Sequence, residues 1–147
     1  MSELRIGVIG AGGRGTLAAH APKVDEGVSL VAAADPDADT LRNFKEKYGK
    51  NTFVTNDYKE LLAQKDIDAV FVCSPDYLHE EHAVAALEAG KAVYLEKPIA
   101  ITIDGADRIL NTAHRTGSKL YLGHNMRYFP SILAMKKLLD DGAIGDL

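Results

Sequence analysis

Two groups of residues in this sequence have the types and spacing to do chemistry. The first is the glycine-rich run Gly10-Ala11-Gly12-Gly13-Arg14-Gly15, followed by Asp35 at 20 residues beyond Gly15. In a G-x-G-x-x-G loop of this kind Gly10 permits a tight turn. Gly12 has no Cβ, so a diphosphate can approach the backbone, and Gly15 lets a helix pack closely on the preceding strand. Free backbone N–H groups at the start of that helix, from about Gly13, bind phosphate with help from the helix dipole. Arg14 is a candidate extra phosphate contact. Asp35 can accept hydrogen bonds from a ribose diol and would repel a 2′-phosphate, which favours NAD over NADP. The second group is Ser74-Pro75-Asp76 with His79, Glu96-Lys97-Pro98, and His124-Asn125 with Arg127. Within it, Lys97 could donate to a substrate hydroxyl or carbonyl.

Each residue also has a plainer reading. Glycine-rich turns are common, an aspartate after a strand often caps a helix, and lysines are mostly solvated. From spacing alone the solvated reading of Lys97 is the stronger. His79 and His82 sit three apart, but a metal site needs a third ligand at a matching distance, so no metal is expected. His79 is expected to face the cofactor edge, and His82 to pack or be solvated. Cys73 reads as a small core residue.

These residues can meet only if they share one edge of a sheet. Apolar runs at 4–9, 28–34, 53–54, 67–73, 92–95 and 120–122 read as strands. Helices are expected between them. The first starts near Gly13 and ends or kinks near His20 to Pro22. The second opens at Pro36-Asp37 and stops at Gly49. A brief one is capped by Asp57, a fourth runs over about 78–89, a fifth is capped by Thr102 and ends at Gly117, and a last one covers about 130–141. This alternation predicts an α/β fold: a doubly wound parallel sheet of the Rossmann type, about six strands with helices on both faces. Ligands of such sheets lie outside the carboxyl ends of the strands, where both groups of residues fall. Strand, loop, helix and acid together point to dinucleotide binding. A methyltransferase-type nucleotide fold is the competing reading. A P-loop is excluded, because no Gly-Lys-Ser/Thr follows the glycines.

Composition narrows the function classes. The 147 residues suit one domain; 46% are apolar, 26% are charged and the net charge is −4. No basic run stands out, so neither nucleic acid nor an anionic membrane has electrostatic support as a partner. The single cysteine excludes an internal disulfide and fits a reducing compartment. The N-terminus is neither a signal nor a transit peptide, and no apolar run approaches the length of a membrane span. A cytoplasmic location is expected.

The motifs resemble the N-terminal domain of the Gfo/Idh/MocA oxidoreductase family (glucose–fructose oxidoreductase, inositol dehydrogenase and relatives). The resemblance rests on Gly-Ala-Gly-Gly-Arg-Gly at 10–15, Ala-Asp-Pro-Asp at 34–37 and Ser-Pro-Asp-Tyr-Leu-His at 74–79. It continues in Ala-Leu-Glu-Ala-Gly-Lys at 86–91, Glu-Lys-Pro at 96–98 and Arg-Tyr-Phe-Pro at 127–130. It covers the whole chain, and Glu-Lys-Pro is its most specific part. The resemblance implies a domain that binds NAD or NADP, with Lys97 as the catalytic lysine beside the nicotinamide. Glu96 and Pro98 would position it, and His79 and Asn125 would lie near cofactor or substrate.

Family members continue into a second, α+β domain, so residues 1–147 resemble the nucleotide-binding half alone. The expected full-length activity is hydride transfer on a sugar-, polyol- or inositol-like substrate. The alternatives are a non-catalytic NAD-binding module or subunit, and NAD-assisted glycoside hydrolysis. Apolar residues near 126–147, among them Phe129, Ile132, Leu133 and Leu138, are expected to be exposed. Such a patch predicts self-association, with a homo-oligomer as one form of it, or a mobile tail.

Overall fold

The apolar runs become six short parallel strands. A computed structural model of the chain describes residues 3–24 and 27–145. The strands are β1 (Leu4–Ile9), β2 (Val28–Ala34), β3 (Phe53–Thr55), β4 (Ala69–Val72), β5 (Ala92–Leu95) and β6 (Leu120–Leu122). They form one sheet in the order β3-β2-β1-β4-β5-β6, and every neighbouring pair is parallel. The order reverses between β1 and β4, which opens a crevice at their carboxyl ends.

Helices α1 (Ala21–Val24), α2 (Ala38–Tyr48), α3 (Tyr58–Leu62), α4 (His79–Glu88), α5 (Ile103–Thr116) and α6 (Pro130–Asp140) connect or follow these strands. On one face Leu61, Leu87 and Ile109 from α3, α4 and α5 pack with Ile9, Val70, Val72 and Leu95 of the sheet. On the other face, Phe44 of α2 and Ala18 pack with Ile6, Val8, Leu30 and Ala33. Gly7 in β1 makes room for this core, since a Cβ there would lie 2.9 Å from the Leu61 side chain.

The described elements depart from expectation in four places. The segment after the glycine loop is a 3-10 helix over Gly13–His20, and α geometry begins only at Ala21. Gly13, Gly15 and Thr16 are weak helix formers. Pro22 then falls in the first turn of α1, where a missing N–H leaves nothing unpaired. The second departure is at α2. Pro36 lies ahead of the helix, because Asp37 is the N-cap and accepts from the N–H groups of Asp39 and Thr40. Third, β4 starts at Ala69, two residues late, with Ile67 buried just before it.

The fourth departure concerns coverage. Over β4–β6 the face opposite α4 and α5 carries an open aromatic stack. Phe71 and Tyr94 lie 4.5 Å apart between ring centres, and Tyr94 and Tyr121 lie 5.6 Å apart. No residue of α6 is buried, and Leu133, Met135, Leu138 and Leu139 of that helix are exposed. Of the residues expected to be exposed near the C-terminal stretch, Phe129, Leu133 and Leu138 are, while Ile132 is half-buried; Asp146 and Leu147 lie outside the described residues. No helix among those described is long and apolar enough to cross a membrane.

Lys91 shows how a charged residue serves this core. It ends the α4–β5 turn at 7% exposure, and its Nζ donates to the carbonyls of Gln64 and Ile67, each at 2.7 Å. Lys91→Met keeps the aliphatic stem and strands two carbonyl oxygens. A loss of about 2–4 kcal/mol of unfolding free energy is expected in urea denaturation. A loss under about 0.5 kcal/mol would show that water reaches both carbonyls.

Candidate functional site

The site loops inherit their positions from the sheet. One hydrogen bond beyond each strand end carries the ladder into the loop: Asp35 N–H to Thr55 O, Gly10 N–H to Ala34 O, Cys73 N–H to Ile9 O, Glu96 N–H to Val72 O and Gly123 N–H to Leu95 O. Five loops are thus pinned in order across one edge, and each presents its next residues outward from that edge.

Two clefts lie along it. The first, of about 490 Å³, is lined by Gly10, Gly12, Gly13, Arg14, Asp35, Ser74 and Pro75, and also by Pro36, Asn56, Tyr58, Cys73, Tyr77, Leu78 and His82. The second, of about 520 Å³, is lined by Arg14, Glu96, Lys97 and Asn125, with Gly123, His124, Met126, Arg127 and Phe129. Arg14 borders both. Of the residues singled out in the sequence, Gly15, Asp76, His79 and Pro98 line neither cleft.

The glycines divide by cause. Gly10 has φ +81°, and a Cβ would fall 2.7 Å from the backbone of Cys73 and Ser74. Gly15 lies beneath the turn, where a Cβ would collide with the Gly10 carbonyl oxygen. Both are demanded by the fold itself. Gly12 is different: a Cβ there would meet nothing nearer than 3.7 Å, and its φ of −77° suits any residue. Gly12 lines the first cleft without a side chain of its own, which leaves the bare backbone that a diphosphate requires.

Asp35 ties the loop to β2. Its Oδ2 accepts the Gly12 N–H at 3.3 Å and its Oδ1 accepts the Asp37 N–H at 2.9 Å. The carboxylate is therefore already aimed at the loop, beside the cleft.

The opposite wall was not legible in full. Tyr58 packs against His82 with ring centres 4.3 Å apart and the planes tilted by 50°, and its hydroxyl donates to Glu81 Oε1 at 2.7 Å. Burial, helped by the Glu81 carboxylate, pushes the Tyr58 phenol up to about 12, so it stays protonated. His82 Nδ1 lies 2.8 Å from Ser74 Oγ, and burial holds this imidazole below the ordinary histidine value. His82 is packed, one of the two places expected of it, whereas His79 departs from its expected place at the cofactor edge. His82 lines the cleft, while His79 is 1% exposed between the carbonyls of Ser74 and Pro98. The Cys73 thiol is pushed up to about 12, first by burial and then by Glu96, so it offers no thiolate nucleophile.

In the second cleft Glu96 is 4% exposed and its Oε2 accepts the Lys97 N–H at 3.0 Å. The Lys97 side chain is exposed, and among the described residues no carboxylate pairs with its ammonium group. Asn125 accepts from the Tyr94 hydroxyl at 3.2 Å. That contact needs Gly123, since a Cβ there would lie 2.5 Å from the same hydroxyl. The Tyr94–Gly123 pairing carries no sequence signal, because Tyr94 lies in β5 and Gly123 follows β6, far from it along the chain.

A six-stranded parallel sheet with a glycine turn at the reversal point, an acid at the end of β2 and a cradle over Gly12 defines a Rossmann dinucleotide-binding domain. A family model described as "Oxidoreductase family, NAD-binding Rossmann fold", the Gfo/Idh/MocA family, matches residues 4–124, and the chain belongs to that family. It is 38% identical over 145 residues to inositol 2-dehydrogenase of Klebsiella pneumoniae subsp. pneumoniae, covering 97% of this chain and 43% of that protein. Among solved structures it is similar to scyllo-inositol dehydrogenase from Lactobacillus casei with bound cofactor NAD(H) and scyllo-inositol. There the TM-score is 0.90 at 31% identity, over 99% of this chain and 43% of that one. It is also similar to a 3-ketoreductase from Actinomadura kijaniata in complex with TDP-benzene and NADP, with TM-score 0.86 and 31% identity, over 99% of this chain and 46% of that one. The chain thus spans under half the length of these relatives.

Proposed function

We propose that this chain is the cofactor-binding half of an NAD-dependent dehydrogenase acting on a polyol or sugar-like substrate. The observation that carries this reading is the meeting of the two clefts at Arg14, with the glycine cradle and Asp35 on one side and Lys97 on the other. The family model and the inositol dehydrogenases among its relatives support it.

The residues fit a dinucleotide. The backbone of Gly12 and Gly13, with Arg14, would hold the diphosphate, and Asp35 the adenosine ribose. Ser74 and Pro75 would border the bound molecule, and Glu96 and Asn125 would frame the end near Lys97. Gly10 and Gly15 act by shaping the turn. A bound nicotinamide supplies the hydride acceptor or donor. Lys97 would hydrogen-bond the substrate oxygen and hold or move its proton, with its backbone fixed by Glu96. The exposed apolar residues of α6 support association of this chain with a second copy.

Isothermal titration tests the reading directly: NAD should bind the chain, and absence of binding would defeat it. Cofactor choice has its own test. NAD and NADP are each held by a structural neighbour, so Asp35 is the residue that should decide between them. Asp35→Ala is expected to weaken NAD about ten- to hundredfold, as charged hydrogen bonds to the ribose are lost, and to narrow the preference over NADP. Titrations with both cofactors read this out. An unchanged ratio of the two affinities would remove Asp35 from cofactor choice.

A further inference from the structure

His79 is the first residue of α4, yet it lines neither cleft. Its Nδ1 lies 2.6 Å from the carbonyl oxygen of Pro98, and its Nε2 lies 2.9 Å from that of Ser74. Carbonyl oxygens accept and never donate, whereas a neutral imidazole has a single N–H. A neutral His79 would therefore hold a ring lone pair against one of the two carbonyls. At 1% exposure no solvent can take over that contact. Only the imidazolium donates to both.

We propose that His79 is doubly protonated and, by donating to both carbonyls, locks the loop that carries Lys97 to the loop that carries Ser74. This makes it a positioning residue for Lys97. Lys97 is then fixed on both sides: Glu96 accepts its N–H, and His79 donates to the carbonyl of the next residue.

Burial and the positive end of α4 act against a cation here. Two charge-assisted hydrogen bonds, each roughly twice as strong as a neutral one, act for it. The titratable groups near in sequence or structure are Asp76 before α4, Glu80, Glu81 and His82 on it, and Glu96 and Lys97 on the clamped loop. His82 fits the same arrangement. Burial keeps it below the ordinary histidine value, with Glu81 opposing and His79 adding the smallest part. The two rings therefore divide Ser74 between them, the charged one on its carbonyl and the neutral one on its hydroxyl.

The role assigned to Lys97 rests on the function proposed above, whereas the protonation of His79 does not. The test uses the whole chain without cofactor, labelled with ring-¹⁵N histidine, at a neutral pH where an ordinary histidine with a midpoint of about 6.5 is mostly unprotonated at one nitrogen. Long-range ¹H–¹⁵N spectra should show both ring nitrogens of His79 protonated and one of His82 unprotonated. Assignment follows from His20→Gln, His82→Gln, His114→Gln and His124→Gln, each removing one signal. An unprotonated ring nitrogen on His79 overturns the proposal. In His79→Gln, the amide signals of Lys97 and Ile99 should move while those of β2 and α2 stay. If that variant folds and the Lys97 amide does not move, the positioning role fails. If it does not fold, the ring spectrum of the unaltered chain still decides. A chain that shows a doubly protonated His79 but binds no NAD would defeat the functional reading alone.

Discussion

Gly15→Ala is expected to cost at least about 3 kcal/mol, while Gly12→Ala is expected to cost nothing in stability and to lose the cofactor. Both glycines belong to the same motif, and their glycine requirements have opposite origins. At Gly15 the new methyl group collides with the Gly10 carbonyl oxygen and lies 3.3 Å from Val8 Cγ1, which is buried. Gly10 cannot yield, because its own turn is wedged against Cys73 and Ser74. The 3-10 segment after the loop must move off β1, and the packing of Ala18 beneath it goes too. Against a typical total of about 5–15 kcal/mol such a loss is large. At Gly12 the methyl group makes only ordinary contacts with Thr40 and Asp35, at an ordinary φ, and removing glycine's freedom in the unfolded chain stabilises by about 0.4–1 kcal/mol. The same methyl occupies the approach of a diphosphate to the backbone, so NAD should weaken at least tenfold, or about 1.4 kcal/mol. Thermal denaturation and calorimetric titration separate the two. A Gly12→Ala chain with parental NAD affinity would remove the cradle from the site, and a Gly15→Ala chain with parental stability would contradict the close packing of the loop.

The contrast also marks what a sequence can reveal. A motif states where glycines recur, and the strand order follows from apolar runs that end in Asp35, Ser74, Glu96 and His124. The runs at 4–9, 28–34, 92–95 and 120–122 reappear unshifted as β1, β2, β5 and β6, and the run at 67–73 reappears as β4, shortened at both ends to 69–72. The carboxyl edge was legible for the same reason, since each run ends where its polar residues begin. The assignment of rings to faces was not. His79 and His82 lie on one helix with similar neighbours, and only the packing of α4 on the loop after β5 decides which ring is enclosed. The 3-10 geometry of Gly13–His20 was hidden too, because Pro22 is equally compatible with a helix that ends and one that begins there. Tyr58 joins the cleft through contacts with Glu81 and His82, which are over 20 residues away, a distance at which no local pattern reports.

In the dehydrogenase proposed above, Lys97→Met should lower turnover about 10²–10⁴-fold and leave NAD affinity within about threefold. Methionine keeps the length and apolar stem of lysine and removes only the group that can hold a proton. The Lys97 backbone is fixed through Glu96, so the substitution leaves the loop in place. The ammonium pairs with no carboxylate among the described residues, so no buried partner is stranded and stability should stay within about 0.5 kcal/mol. Lys97→Arg should fail to rescue, because a guanidinium keeps its protons at every accessible pH and offers a planar fork in place of a compact donor. Steady-state rates on a polyol, paired with titration of NAD, give the split between catalysis and cofactor binding. A methionine variant that retains turnover within about tenfold would make Lys97 a solvated surface lysine after all. Loss of NAD affinity in parallel with turnover would move it from the substrate oxygen to the cofactor.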